Sequence, residues 1–464
     1  MGSAKEKDRG RVNRDLPSTK INYDECEVKS SVPLDVPARV DRVHVDGLSR
    51  TKNDVAEGAT RDLLSARTFR EVLSKAHEAR VKLEKSGCFG DISVHVDASR
   101  GPKATPDGVE VTFYVHELSR VVGGVTTEVG RDEGSVVLGV RAPNVLGRGE
   151  RLFVEYGYGS RRSNHFGVGV VKPFLGEHEP SLSVSAHQCW AEFAASGYEE
   201  LSKGGVVDFG FFSAPALRHN VQYKGVVRNT SALRGNSSFD TRESSGPSLK
   251  SALQHTLGVD LRDDRIFPSC GSLTQLVTEI AGLGGDVGFI KNELYVQGNY
   301  PLPAGDGGVV FQVTGSAGLL KGLGSGMRVG LSDMFYLGGP LDVRGFQARG
   351  IGSRAESDAL GADAFWSGGV HLFTPLPFTP GKGGFGDIFR THLFVNSGNV
   401  ASFKNEETLI NQLTKNVRVS AGLGVAIRIG QMARVEVNYC FPIKYAEGDQ
   451  VQPGVQFGLG FQFS

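Results

Sequence analysis

The sequence predicts a transmembrane antiparallel β-barrel of about 16 strands, preceded by one small α+β domain. Three observations support that class. From residue 119 to residue 464, apolar and polar residues alternate in segment after segment, as strands with two different faces require. The clearest segments run to roughly ten to thirteen residues, near the ~9–11 that a tilted strand needs to cross hydrocarbon and beyond the ~5–6 common in soluble sheets. Hydrophobic residues make up only 39% of the 464, and no apolar run suits a membrane helix, yet glycine reaches 63 residues. A closed barrel accounts for all three, because only every second residue has to face lipid.

Residues 1–36 begin MGSAKEKDRGRVNRD, charged and without the apolar core of a secretory signal, and read as a solvated, flexible tail. Residues 37–118 then change pattern several times. RVDRVHVDG alternates around Val40, Val43 and Val45 and closes on a turn at Asp46-Gly47. A short helix is expected over Lys52–Leu64. Phe69, Val72, Leu73, Ala76 and Leu83 share one face of a longer helix, with Arg70, Glu71, Lys75, Glu78 and Lys82 between them. Two alternating strands, ISVHVDAS and GVEVTFYVHEL, follow across the turn-rich RGPKATPDG. The order strand, helix, helix, strand, strand is enough for a small core of its own.

Acidic and basic residues balance at 51 each, so no global field draws the chain to nucleic acid. Cys26, Cys88, Cys189, Cys270 and Cys440 lie far apart, with neither a metal spacing nor a disulfide framework. The histidines form no helical pair and no triad with a nucleophile elbow. No catalytic residue, metal site or cofactor is therefore expected. PGKGG, Pro380 to Gly384, lacks the spacing of a phosphate loop.

Within the alternating region, VRVSAGLGVAIRI puts Val417, Val419, Ala421, Leu423, Val425, Ile427 and Ile429 on one face. Arg418, Ser420, Gly422, Gly424, Ala426 and Arg428 take the other. LFVEYGYG, VEVNYCF and the final VQFGLGFQF alternate likewise. Small and charged groups opposite the apolar face suit a wide, water-filled lumen. A loop near residues 320–363 interrupts the pattern and carries Val343-Arg344-Gly345-Phe346 in its middle. A guanidinium offers five donors and keeps its charge, so inside a barrel wall it needs acceptors.

Two further patterns accompany that loop. In GVDLRDDRIFPSCG, residues Asp260, Arg262, Asp263, Asp264, Pro268 and Gly271 fit an acidic-arginine hairpin ending in P-x-x-G, whose interspersed charges read as internal pairing. Phe394, Asn396, Gly398 and Asn399 fit F-x-[DN]-x-G-N. With [VI]-R-G-[FY] in the loop, this set resembles the bacterial surface antigen superfamily, the BamA-like barrels preceded by POTRA domains. Residues 37–118 look like one POTRA domain, including the Gly87-Cys88-Phe89 step into its second strand. The resemblance covers almost the whole chain after about residue 36. One such domain without a signal is similar to the mitochondrial branch, the core subunits of the sorting and assembly machinery.

In that family the sixth loop folds into the lumen, and acidic wall residues accept its arginine. Here Asn396 and His371 stand at those places, so the resemblance implies neutral acceptors for Arg344 and leaves an ion pair unassigned. It also implies insertion and assembly of β-barrel precursor proteins into the mitochondrial outer membrane, with accessory subunits and membrane lipids as partners and no enzymatic step. The expected site is a lateral seam between the first strand, with Gly123, Gly124 and Val125, and the last. Gln456, Gly458, Phe461 and Phe463 in the last strand fit the terminal sorting pattern polar-x-Gly-x-x-apolar-x-apolar. Glycines weaken a strand, and an open edge accepts a foreign strand by β-augmentation. The same glycines also fit steric relief where a barrel curves. A transport pore for polypeptides or metabolites is the alternative use of such a barrel.

Overall fold

The computed structural model describes residues 35–460 except 103, 130–133, 234, 236, 304–307, 325, 377–384, 404–407 and 431–432. The tail up to residue 34, and Phe461 and Phe463 of the expected seam, lie outside the described residues.

The N-terminal sheet holds β1 (Arg39–Asp46), β2 (Phe89–Ala98) and β3 (Gly108–Glu117) in the order β1-β3-β2, with β1 parallel and β2 antiparallel to β3. Helices α1 (Asn53–Thr60) and α2 (Phe69–Lys85) pack on it. The Thr68 hydroxyl accepts the Glu71 N–H at 3.3 Å to start α2, while the Glu71 carboxylate accepts the Arg67 N–H at 2.8 Å. Val72, Ala76, Ala79 and Leu83 are buried in one core with Cys88, Phe89, Val111 and Phe113. Leu73, expected on that face, is instead 41% exposed, because the buried stripe runs 72, 76, 79, 83 and Ala79 completes it.

Sixteen strands make the second sheet. They are β4 (Val122–Val129), β5 (Gly134–Pro143), β6 (Arg151–Gly159), β7 (Asn164–Pro173), β8 (Ser181–Phe193), β9 (Tyr198–Ala214), β10 (Leu217–Ala232) and β11 (Gly246–Asp260). After them come β12 (Gly271–Gly285), β13 (Phe289–Pro301) and β14 (Val310–Gly322), then a loop with the two-residue ribbon β15 (Arg354–Ala355) and β16 (Asp358–Ala359). The wall resumes with β17 (Ala364–Thr374), β18 (Phe389–Ala401), β19 (Arg418–Ile429), β20 (Ala433–Lys444) and β21 (Gly454–Gly460). Each wall strand pairs antiparallel with its neighbour from β4 to β21. Two short helices, α3 (Phe239–Glu243) and α4 (Leu409–Thr414), sit in loops at the mouth away from the N-terminal domain. Among the described residues no helix is long and apolar enough to cross a membrane.

Outward positions form the apolar belt: Val136, Leu138 and Val140 on β5, Leu152, Val154, Tyr156 and Tyr158 on β6, and Leu423 on β19 are all exposed. Most of their inward neighbours are polar or small, among them Gly139, Glu155 and Gly157, with Val137 and Phe153 as the apolar exceptions. The expectation of an open, water-filled lumen is corrected. Gln312, Thr314, Ser316, His371, His392, Asn396, Ser420, Glu436 and Asn438 are buried, covered by the loop between β14 and β17. A cavity of about 350 Å³ remains against β9–β13, lined in part by Glu200, Lys224, Arg228, Lys250 and Glu279.

The N-terminal domain is seated on the near mouth of the barrel. Glu117, at the end of β3, accepts the backbone N–H groups of Ser49, Arg50 and Thr51 at 3.0, 2.9 and 2.8 Å and pairs with the Arg50 Nε at 3.1 Å. Thr51 accepts from the Asn144 amide at 2.8 Å, and Lys52 N–H donates to the Gly147 carbonyl at 2.9 Å, both in the β5–β6 turn. Gly147 has φ +87°, and a Cβ there would lie 2.4 Å from the Arg50 carbonyl, so the approach requires glycine.

Burial alone would raise the Glu117 carboxyl, but the N–H groups of Ser49, Thr51 and Arg50 outweigh it and bring it down to about 2 from an ordinary 4.5. A depressed folded-state value means its contribution is complete above pH 4.5 and is lost as pH falls towards about 2. Limited proteolysis at residues 48–52 should therefore rise across that window. Glu117→Ala should cost about 1–3 kcal/mol in thermal unfolding and flatten the acid dependence of cleavage.

Candidate functional site

Strand β20 alternates Arg434, Glu436, Asn438 and Cys440 inward, and β18 does the same with His392, Phe394 and Asn396. Arg344 enters between them from the loop. Its Nε and Nη2 donate to Glu436 Oε2 at 3.2 and 2.9 Å, and its Nη1 donates to Asn396 Oδ1 at 2.9 Å. The guanidinium carbon lies 5.0 Å from the Phe394 ring centre. Arg344 and Glu436 are both fully buried. Arg434 approaches the other Glu436 oxygen at 2.8 Å, so one carboxylate serves two guanidiniums.

Two expectations about Arg344 are corrected here. Its charge is met by a buried carboxylate, Glu436, rather than by neutral groups alone. His371 does not serve as an acceptor: its Nδ1 faces His392 Nε2 at 2.9 Å and its Nε2 faces the Thr314 hydroxyl at 3.3 Å. The reason is a chain of directed bonds. Asn438 spends its NH₂ on Glu436 at 2.9 Å, so its oxygen must accept from His392 Nδ1 at 3.1 Å. His392 Nε2 is then an acceptor for His371 Nδ1–H, and His371 Nε2 accepts from Thr314. Both imidazoles are thereby consumed in orienting the acceptor of Arg344.

The loop tip also grips the last strand. Gly345 N–H donates to Gln456 Oε1 at 3.0 Å, and the Gln456 NH₂ donates to the Phe346 carbonyl at 2.8 Å. Backbone bonds Gln452 N to Gly345 O (2.8 Å), Gln347 N to Gln450 O (3.0 Å) and Gln450 N to Gly350 O (2.8 Å) extend the contact. Gly345 has φ +82°, and a Cβ would stand 2.7 Å from the Ser420 hydroxyl, so no other residue fits. Val343 and Phe346 are fully buried with Phe289, Leu320, Leu337 and Phe365.

The acidic-arginine hairpin occupies the opposite, domain-side end of the lumen. Asp260 pairs with Arg262 at 2.9 Å, Asp263 accepts the Ser269 and Cys270 N–H groups, and Asp264 accepts those of Ile266 and Phe267. The second Asp264 oxygen takes Arg428 of β19 at 2.7 Å, reaching the far wall. Ile266 and Phe267, just before Pro268, pack with Val310, Phe373 and Ala426, and Gly271 (φ +93°) restarts the ladder at β12.

At the seam, β4 and β21 are the two ends of the sheet, and no ladder joins them among the described residues. Val125 and Phe457 are 63% and 68% exposed. A Cβ at Gly123 or Gly124 would meet nothing within 4 Å, so these glycines are not there to make room. Gln456 points inward to the loop, and Gly458 lies opposite Glu436 on β20.

Glu436 was the residue missed from sequence. Its signal was local: a lone acid among alternating inward groups in RVEVNYC, beside an inward arginine.

A barrel with an inward arginine loop and a βααββ domain seated on one mouth is a POTRA-bearing outer-membrane barrel. The Omp85 superfamily domain matches residues 144–463. The chain is 40% identical to the sorting and assembly machinery component 50 homologue of Bos taurus, over 95% of this chain and 93% of that one. A SAM50-like protein of Drosophila melanogaster is 37% identical over 92% and 95% of the two chains. Among solved structures, BamA from Haemophilus ducreyi lacking POTRA domains 1–3 shares the fold at TM-score 0.76 and 18% identity, covering 91% of this chain and 84% of that one. The chain belongs to the Omp85 superfamily and, within it, to the sorting and assembly machinery component 50 family.

Arg344→Ala or Glu436→Gln should each cost about 3–5 kcal/mol, since either leaves one charge of a buried pair uncompensated or its donors unmatched. The expected sign is new protease cleavage around residues 347–354 with a lower unfolding temperature in detergent. The double variant should be less destabilised than the sum of the singles.

Proposed function

We propose that the chain inserts and assembles β-barrel precursor proteins in the mitochondrial outer membrane, and that precursors enter at the seam between β4 and β21. It is an assembly factor rather than an enzyme. The observation that carries the seam reading is that, among the described residues, the ladder breaks only between β4 and β21. Lipid offers no partner to an N–H or C=O, so each unpaired group at the edge costs several kcal/mol and is a receptor for another strand. Gly123 and Gly124 keep the β4 edge weak without a packing reason. A precursor strand pairing with β4 gains main-chain hydrogen bonds and buries its apolar face in lipid; no nucleotide is needed.

The sequence left a transport pore open as an alternative. The lumen speaks against it: the loop anchored by Arg344 packs into it from the far mouth, and the hairpin holding Ile266 and Phe267 packs against β14, β17 and β19 at the near end. Accessory subunits and annular lipids are the further partners this reading calls for, the lipids along the outward apolar belt.

Two measurements test it. Depleting the protein and importing a labelled porin precursor should abolish barrel assembly while early matrix import continues; the reverse outcome would favour the pore. One cysteine placed in β4 and one in β21, oxidised across the seam, should stop precursor insertion, and reduction should restore it.

A further inference from the structure

We infer that Arg349 is a positioning residue for insertion, holding the arginine loop to the β8–β9 turn so that its tip is presented to Gln456. The inference rests on the insertion reading above. Arg349 follows Arg344 by five residues, which span at most about 17 Å of backbone. Its guanidinium carbon stands 4.5 Å from the Phe193 ring centre at the end of β8 and 4.0 Å from that of Tyr336. Tyr198, opening β9, lies at 5.9 Å. The Nη1 donates to the Ser196 hydroxyl at 3.1 Å and the Tyr198 hydroxyl at 3.3 Å. Ser196 and Tyr198 are fully buried, so this is a built receptor on the β8–β9 turn and not a surface contact.

The backbone supports the same conclusion. Arg349 is held at φ +57°, a conformation that persists in a non-glycine residue only where its surroundings over-determine it. Nearby, Arg354 donates to the Ala195 carbonyl at 3.3 Å, and Asp358 accepts the Ser238 N–H at 2.7 Å, so this end of the loop is clamped to the far rim. Asp333, earlier in the loop, adds Arg228 of β10 at 2.9 Å and Lys250 of β11 at 2.7 Å. Arg344 and Gln456 hold the other side. The loop is thus a strut across the lumen, and Arg349 fixes its span next to the tip. Loss of that end should let the tip drift from the last strand even though Arg344 and Glu436 are intact.

The test uses the full-length protein in liposomes with a labelled porin precursor. Arg349→Ala should slow insertion about 10-fold while the barrel keeps its heat-modifiable migration. Gln347 and Gln450 face each other across the tip contact, so Gln347→Cys with Gln450→Cys, oxidised, fastens the tip directly. In the Arg349→Ala background that bond should return the rate to within about 3-fold of wild type. A wild-type rate for Arg349→Ala, or no recovery once the bond has formed, would overturn the inference. Should Arg349→Ala fail to fold, Arg349→Lys, which keeps the charge but loses the planar fork, should be slowed and rescued in the same way. Wild-type liposomes that insert nothing would instead count against the insertion reading.

Discussion

A bilayer core supplies no hydrogen-bond partner, so a strand inside it must find one on each side. Nearly every feature of the wall follows from that constraint. Among the described residues the ladder runs from β4 to β21 through sixteen strands, and the outward residues are apolar while most of their inward neighbours are not. Among the described residues, the one place that departs from the rule is the pair of facing edges at β4 and β21. Structural economy would close that gap. The proposed insertion at the seam would account for its staying open.

The lumen obeys a second constraint, that buried charge must be matched. Glu436 is the centre of this account: Arg344, Arg434 and Asn438 all converge on it, and two histidines are fixed behind Asn438. The result is a loop that cannot leave without stripping a carboxylate of its partners. The hairpin repeats the logic at the other end, where Asp264 serves its own turn and then Arg428 across the lumen. Both devices connect wall strands that are distant in sequence.

Much of this was legible in the residues because alternation is a local signal. Val417 to Ile429 declares its two faces by spacing alone, and Arg344, flanked by Val343 and Gly345, marks a loop that needs acceptors. What could not be read was which distant residue answers. Asn396 was within reach of the pattern, whereas His371 on β17 is turned to His392, and Glu436 lies two strands beyond Asn396, on β20. Leu73 failed for a smaller reason: it borders the buried stripe of α2, and one step of rotation puts it in solvent. The aromatic receptor of Arg349 draws on β8, β9 and the loop together, and no window of sequence contains it.

Insertion at the seam requires a precursor strand to pair with the free edge of β4 in the plane of the membrane. Cysteine scanning of disulfides between β4 and the terminal strand of an arrested precursor addresses it most directly. Pairing at the seam requires bonds in a single register, with partners opposite one another along residues 122–129. Bonds instead to lumen-facing positions such as Lys224 or Arg228, with none along β4, would mean that precursors travel through the barrel, contradicting this account.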